Sequence, residues 1–287
     1  MSSTELSRRS LLAGAVTGVA AAVLPAGAEG VKAVRKGRIH QAVCRGPYAH
    51  IPLDELCRAA AEMGLQGIDL LRPEEWDVPL RYGLRCTMGQ AVSLDLYHGL
   101  AHPDQQARLE QDLRTAIPLA AKHKVPNLIC FSGTRFHVLD DQGAANCIAS
   151  FNRLKPIAED HGVTLCMELL NSKINHPGYM CDHTAWGVNV VRAVNSPRVK
   201  LLYDIYHMQI MEGDLIRTIT TNKEWIAHFH TGGVPGRHEL DGTQEVRWDG
   251  VMRAIAEMGF TGYVAHEFSP TRDPLTSLRQ AVELCDV

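Results

Sequence analysis

Four apolar segments in the second half of the chain each end on a side chain that can bind a metal ion or move a proton. These side chains are Glu168, Asp204, His230 and Glu267. The segment before Glu168, residues 163–167, is almost entirely apolar or small, which is typical of a parallel strand covered on both faces. A carboxylate at its end is costly to bury without a partner such as a metal ion, a cation or a shared proton. The repeated pattern predicts one polar site at one end of a sheet.

Three carboxylates and one imidazole form a hard, oxygen-rich set of donors. Such a set suits Mg²⁺ or Mn²⁺, and it can also hold Co²⁺ or Zn²⁺. Taken alone, a glutamate at a strand end usually forms a salt bridge, and a lone histidine usually makes a local hydrogen bond. Because four such groups end four consecutive strands, we expect a metal site.

The elements that must position these side chains alternate between short buried strands and amphipathic helices. This alternation indicates a parallel sheet, and eight units in about 250 residues favour a closed (β/α)₈ TIM barrel. An open doubly wound sheet would carry a G-x-G-x-x-G loop after its first strand, where this chain has Cys44-Arg45-Gly46-Pro47-Tyr48. Strands are predicted at 39–44, 67–71, 84–92 and 127–131, before the four that end on the candidate ligands. Helices are predicted at 53–63, 74–82, 104–123, 146–161, 184–194, 213–221, 249–258 and 275–285.

Composition excludes several classes of protein. The 287 residues carry a net charge of −3, and no basic run stands out beyond the N-terminus, so we expect no nucleic-acid partner. No apolar run in the body is long enough to span a bilayer. The eight cysteines contain no Cys-x-x-Cys pair, and those within strands are expected to be buried free thiols, with disulfides or a nucleophilic cysteine as the alternatives.

The N-terminus has the pattern of an export signal. Arg8 and Arg9 precede a weakly apolar run at 13–24, and small residues follow at 25–28. The pattern resembles a bacterial twin-arginine (Tat) signal, which exports folded proteins to the periplasm. We therefore predict a signal peptide at 1–28 and a single catalytic domain at 29–287, with no stable membrane anchor after cleavage. The alternative is a disordered tail.

Three strings give the chain a recognisable character: Met167-Glu168-Leu169-Leu170-Asn171, Tyr203-Asp204-Ile205-Tyr206-His207-Met208-Gln209, and the stretch from His228 to Glu239 with its Val-Pro-Gly-Arg-His-Glu core. Together they resemble the hydroxypyruvate isomerase family, which belongs to the xylose-isomerase-like TIM barrels and has the ketose 3-epimerases as relatives. The resemblance covers most of residues 37–287.

The resemblance implies a role for each matching residue. Glu168 and Glu267 match glutamates that serve both as metal ligands and as the catalytic acid/base pair. Asp204 matches the aspartate ligand. His207 and Arg237 match residues that contact the substrate.

Two matches carry less information. His230 matches a ligand that is Gln in many hydroxypyruvate isomerases and His in the ketose epimerases, so the substrate stays open. His266 stands where relatives often have Gln, and its role is open. The loop residues after the fifth strand either close over the substrate or form a polar surface: His176, Tyr179, Asp182 and His183.

The implied reaction is the isomerisation of an α-hydroxy carbonyl compound. A C–H proton is removed and returned to the neighbouring carbon, while a divalent ion stabilises the enediolate. Glu168 and Glu267 would exchange the proton. Arg237 could bind a substrate carboxylate, which favours a keto acid, or it could instead pair with Glu239 or Asp241.

The leading hypothesis is therefore a metal-dependent isomerase that interconverts hydroxypyruvate and tartronate semialdehyde, or a related keto acid or sugar. A ketose 3-epimerase and a polyol dehydratase would use the same metal site. A metal-dependent phosphodiesterase would usually carry more histidines and a basic groove. A non-catalytic sugar-binding protein would not need both glutamates. The partner is a small keto acid or sugar, and a homodimer or tetramer is compatible with the sequence.

Overall fold

A computed structural model describes residues 35–91 and 95–287. The predicted signal peptide at 1–28 lies outside the described residues, and so does the last residue of the strand predicted at 84–92. Among the described residues, no helix is both long and apolar enough to cross a membrane.

Eight parallel strands close into a barrel in chain order, and β8 pairs with β1. This confirms the predicted (β/α)₈ TIM barrel. The strands are short because both of their faces are covered, one by the barrel interior and one by the helices. They are β1 His40–Cys44, β2 Gly67–Leu71, β3 Arg85–Gly89, β4 Asn127–Cys130, β5 Thr164–Glu168, β6 Val199–Asp204, β7 Ile226–Thr231 and β8 Tyr263–His266.

The helices lie in the connections and turn their apolar faces inward. Most of their bounds fall within one or two residues of those predicted. They are α1 Leu53–Glu62, α2 Pro103–Lys122, α3 Asp140–His161, α4 Thr184–Val194, α5 Ile205–Met211, α6 Leu215–Thr221, α7 Trp248–Glu257 and α8 Pro274–Leu284.

The connection between β2 and β3 differs from the prediction. In place of one helix at 74–82, it holds two 3₁₀ turns, Pro73–Glu75 and Pro79–Tyr82. Proline lacks the backbone N–H and starts a helical turn more readily than it continues one. Gly83 then ends the second turn with a left-handed φ of 71°.

Two helices depart from the sequence pattern at their starts. Helix α3 begins six residues before the predicted position, with Asp140 and Asp141 in its first turn, where acidic groups favour the helix dipole. Helix α5 was not predicted. It follows β6 directly, and the Asp204 carboxylate caps it by accepting a hydrogen bond from the His207 backbone N–H at 3.1 Å.

The barrel core contains every cysteine of the chain as a buried free thiol, as predicted. Burial raises the pKa of Cys130 and of Cys57 to about 12, so these thiols stay protonated. They pack as small apolar side chains among the residues of the main core.

Strand register brings the ends of β6, β7 and β8 to one level. Asp204 and His230 are direct Cα partners across β6 and β7. The Glu267 backbone N–H donates to the Thr231 carbonyl at 2.9 Å, which extends the ladder one residue past β8. The carboxyl ends of these strands therefore meet at one face of the barrel.

Candidate functional site

The structure brings the four predicted ligands together. Glu168, Asp204, His230 and Glu267 each offer a donor atom, and these atoms lie within 4.8 Å of one another. His230 stands between the two glutamates: its Nδ1 is 3.3 Å from Glu168 Oε1 and 2.6 Å from Glu267 Oε2. Asp204 and His230 are fully buried, and the Glu267 side chain keeps 16% of its surface exposed. The most accessible donor therefore belongs to Glu267.

Glu168 is the buried carboxylate at the end of β5. Burial raises the pKa of its carboxyl to about 7, although His230 opposes this shift. Its backbone carbonyl accepts a hydrogen bond from the Tyr179 hydroxyl at 3.0 Å, and that hydroxyl accepts one from the Ser132 N–H. Tyr179 thus belongs to the buried support of β5 and is not part of a polar surface loop.

Glu267 has the opposite electrostatic environment. Burial alone would raise the pKa of this carboxyl, but the charges of Arg237 and His230 outweigh burial and lower it to about 2. The two glutamates therefore face the same histidine with pKa values pushed in opposite directions. Sites that move protons often separate a pair of carboxyl groups in this way.

Arg237 bridges two of the candidate ligands. Its Nη2 donates to Asp204 Oδ2 at 3.0 Å and to Glu267 Oε2 at 2.7 Å, and the guanidinium lies over the Tyr206 ring at 5.3 Å. The alternative pairing with Glu239 or Asp241 is wrong. Gly232 makes this packing possible, because a Cβ there would lie 2.9 Å from the Arg237 Cγ.

His207 is held in one tautomer by its neighbour. The Asn171 backbone N–H donates to His207 Nδ1 at 3.0 Å, so Nδ1 is the acceptor and Nε2 carries the hydrogen. Burial and then Arg237 hold the pKa of His207 well below its usual range, which keeps the ring neutral. Nε2 is buried, lies 3.6 Å from Asp204 Oδ2 and has no hydrogen-bond partner among the described residues. The side chain therefore offers a free donor beside the cluster.

His266 does not join the cluster. Its Nδ1 lies 3.0 Å from the Thr231 hydroxyl, and its Nε2 lies 2.9 Å from Gln41 Oε1. Burial lowers its pKa to about 3, so it is a neutral buried group. Its contacts tie β8 to β7 and β1.

Asp69 is the interior residue that sequence reasoning missed. It is a fully buried aspartate on β2, and its Oδ2 lies within 2.9 Å of the Nε2 atoms of both His228 and His230. The only signal in the sequence was a single acidic residue within the apolar string Gly67-Ile68-Asp69-Leu70-Leu71.

The donor set fits a divalent cation. Two buried carboxylates and the partly exposed one of Glu267 converge, and Arg237 pairs with two of the three. His230 Nδ1 is buried and has no hydrogen-bond partner among the described residues, although two carboxylate oxygens lie close to it. A cation shared by these groups would use the Nδ1 lone pair and relieve the crowding of negative charge.

A cleft of about 480 Å³ opens beside Glu267 on the β1–β3 side of the barrel mouth. Arg45, Leu70, Arg72 and Gln90 contribute to its walls. It gives a small molecule a route from solvent to the cluster, at the barrel face where TIM barrels carry their active sites.

The profile of the family described as "Xylose isomerase-like TIM barrel" matches residues 21–286. The chain belongs to this family. Its architecture and the position of the cluster agree with that membership.

Particular relatives share less than a third of their residues with the chain. The human protein named "Putative hydroxypyruvate isomerase" is 26% identical over 92% of this chain and 88% of its own length. The alignment with the zebrafish protein of the same name, 25% identical, covers 56% of this chain and 62% of that protein. The "2-oxo-tetronate isomerase" of Haemophilus influenzae is 24% identical over 80% of this chain and 93% of its own length. Among solved structures, "AP endonuclease, family 2" from Brucella melitensis is 26% identical with a TM-score of 0.75, over 84% of this chain and 97% of that one.

Proposed function

We propose that the chain is a metal-dependent isomerase that moves a proton between the two carbons of an α-hydroxy carbonyl compound. The observation that carries this proposal is the cluster of Glu168 and Glu267 on either side of His230, with Asp204 completing a set of four donors. Both glutamates can serve as proton carriers in the same small space. Relatives named hydroxypyruvate isomerase and 2-oxo-tetronate isomerase support an isomerase.

Glu168, Asp204, His230 and Glu267 would hold the metal ion. Mg²⁺ or Mn²⁺ fits this carboxylate-rich set best, and Co²⁺ or Zn²⁺ would also be accommodated. When bound, the ion supplies positive charge where negative charge develops on the substrate oxygens.

The proton transfer itself belongs to the two glutamates. One carboxylate removes the C–H proton, and the other returns a proton to the neighbouring carbon. Arg237 donates to Glu267, and it holds that carboxyl ionised and fixed in direction. The Tyr179 hydroxyl donates to the Glu168 backbone carbonyl and so holds the end of β5 in place.

Two other side chains are placed to bind the substrate. His207 Nε2 presents an N–H that no described residue accepts, which suits a substrate hydroxyl or carbonyl oxygen. Arg237 Nε is likewise buried and without a hydrogen-bond partner among the described residues. An arginine that already pairs with two carboxylates through Nη2 can still use its other N–H groups on a substrate carboxylate. This is why we favour a short keto acid such as hydroxypyruvate or 2-oxo-tetronate over a neutral sugar.

The test follows the substrates by proton NMR in D₂O in the presence of the full chain. The substrates are hydroxypyruvate, 2-oxo-tetronate and a small panel of ketoses. With hydroxypyruvate, we expect deuterium to enter the hydroxymethyl carbon as the isomeric aldehyde appears. With 2-oxo-tetronate, we expect deuterium at C3 as the isomeric 3-oxo acid appears. EDTA should abolish both changes, and added Mg²⁺ or Mn²⁺ should restore them.

Other outcomes would redirect the proposal. Deuterium exchange only at C3 of a ketose would mean a 3-epimerase, and loss of water from a polyol would mean a dehydratase. Full turnover in EDTA would contradict the metal dependence. Glu283→Gln, an exposed change on α8, serves as the control and should leave the exchange rate unchanged.

We also propose that residues 1–28 direct export through the twin-arginine pathway to the periplasm. A fusion of these residues to a folded reporter should reach the periplasm, and Arg8→Lys with Arg9→Lys should hold it in the cytoplasm. Light scattering of the purified chain will test whether it is a dimer or a tetramer.

A further inference from the structure

A single carboxylate oxygen below the ligand cluster contacts two histidines. Asp69 Oδ2 lies 2.8 Å from His228 Nε2 and 2.9 Å from His230 Nε2, although it is 159 and 161 residues away from them in sequence. All three side chains are fully buried. The other oxygen of Asp69 accepts a hydrogen bond from the Thr87 hydroxyl on β3. The carboxylate is therefore fixed from three directions.

This contact decides which nitrogen of His230 carries a hydrogen. Asp69 Oδ2 lies within hydrogen-bond distance of the Nε2 atoms of both rings, and a carboxylate oxygen accepts hydrogen bonds. This contact therefore calls for a hydrogen on His230 Nε2. The Nδ1 atom then faces Glu168 and Glu267, and it has no hydrogen-bond partner among the described residues.

We propose that Asp69 is a positioning residue for metal binding: it accepts the Nε2–H of His230 and so leaves the Nδ1 lone pair directed at the three carboxylates. This inference rests on the proposed metal site, and it assigns a role to a residue on the opposite half of the barrel. An imidazole ligand commonly donates its second N–H to a carboxylate, which fixes the ring and makes the metal-binding nitrogen more basic.

The orientation of the His207 ring shows why His230 needs a residue that fixes its tautomer. His207 lies beside the same cluster but has the opposite arrangement, with a backbone N–H at Nδ1 and the hydrogen on Nε2 pointing towards Asp204. A histidine that presents its N–H to the site binds oxygen, and one that presents a lone pair binds a cation. Asp69 and Asn171 thus separate the two histidines into different functions.

The test measures Mn²⁺ affinity of the EDTA-stripped full chain by isothermal titration calorimetry. Asp69→Asn keeps the shape and removes the charge, and we expect the dissociation constant to rise by about 10- to 100-fold. Glu110→Gln is the matched control, because it removes the charge of another buried carboxylate, which accepts from Arg153 on α3 outside the ligand cluster. We expect its dissociation constant to stay within about threefold of the unmodified chain.

A second readout does not depend on either variant folding. In the Zn²⁺-loaded chain with ¹⁵N-labelled histidine, the His230 ring should show hydrogen on Nε2 and none on Nδ1. The signal of the His230 ring is assigned by its loss in His230→Gln. Hydrogen on Nδ1, or equal loss of affinity in Asp69→Asn and Glu110→Gln, would overturn the role of Asp69. Failure of the unmodified chain to bind any divalent ion would instead overturn the proposed metal site.

Discussion

The two halves of the barrel contribute to the cluster in different ways. Strands β5 to β8 each place a group that faces the others at their carboxyl end or within one residue of it, and these four groups form the donor set. Strands β1 to β4 supply one charged side chain to the interior, Asp69, which contacts the back of His230. The C-terminal half therefore carries the reactive groups, and the N-terminal half fixes the direction of one of them.

This division has an electrostatic consequence. Three carboxylates on one side of the interior repel one another, and that repulsion must be offset locally. Arg237, on the loop after β7, offsets Asp204 and Glu267, while Glu168 forms no salt bridge with an arginine among the described residues, and burial raises its pKa to about 7. The asymmetry between the glutamates follows from which loop carries the arginine.

The largest effect should come from removing a proton carrier in the C-terminal half. Glu168→Gln and Glu267→Gln each keep the side-chain shape but remove the acid/base group. We expect each to lower the rate of isomerisation by about 10³-fold or more, because acid/base catalysis by one group contributes 10²- to 10⁴-fold. Proton NMR of substrate turnover measures the change. A variant that retained more than a tenth of the original rate would remove that glutamate from the mechanism.

Replacing the bridging arginine should have a smaller effect. Arg237→Lys keeps the charge. The guanidinium donates to both carboxylates, holds further N–H donors in one plane and stacks on Tyr206, and an ammonium group cannot do all three at once. We expect kcat/KM for a keto acid to fall by about 30- to 100-fold, mainly through KM, because a charged hydrogen bond is worth about 1.5–3 kcal/mol.

Arg272→Lys is the matched control for this substitution. Arg272 is a half-exposed arginine near the same loop that pairs with Glu239 and Asp241 outside the ligand cluster. It should change kcat/KM by less than about twofold, as expected for exposed ion pairs. Equal losses in the two lysine variants would show that Arg237 acts only through loop stability.

The C-terminal half was readable from sequence because its information is local. Each ligand ends its own apolar run, and parallel strands bring such ends to one face of a barrel. The cap on α5 is also a local feature, because Asp204 accepts from the N–H three residues later, but the sequence analysis did not predict that helix. The prolines at 73 and 79 are local as well, but one helix at 74–82 was predicted where they begin two 3₁₀ turns.

The role of Asp69 was not readable in this way. An acidic residue inside an apolar strand has many meanings, and its partners are more than 150 residues away. Only the closed barrel brings β2 and β7 across from each other. The pairing of Arg237 was similarly hidden, because the acidic residues nearest in sequence are Glu239 and Asp241, while its actual partners lie at the ends of β6 and β8.

The smallest effect should come from the support of the loop after β7. Glu239 is buried and accepts hydrogen bonds from the Thr271 and Arg272 backbone N–H groups and from the Thr271 and Ser277 hydroxyls. These hydrogen bonds outweigh burial and lower its pKa to about 2. Because the pKa is lower in the folded chain, Glu239 stabilises the fold above the unfolded value near 4.5, and this contribution is lost as the pH falls towards 2.

Glu239→Gln should therefore lower the free energy of unfolding by about 2 kcal/mol at pH 7, and by much less at pH 3. Urea unfolding at the two pH values measures the difference, with the exposed Glu224→Gln as the control. At pH 7, and at urea concentrations below the midpoint of unfolding, Glu239→Gln should change the rate of isomerisation by less than about threefold. The reason is that Asp204 and Glu267 hold Arg237 directly. A loss of activity as large as that of Arg237→Lys would mean that the C-terminal half depends on its loops for chemistry as well as for stability.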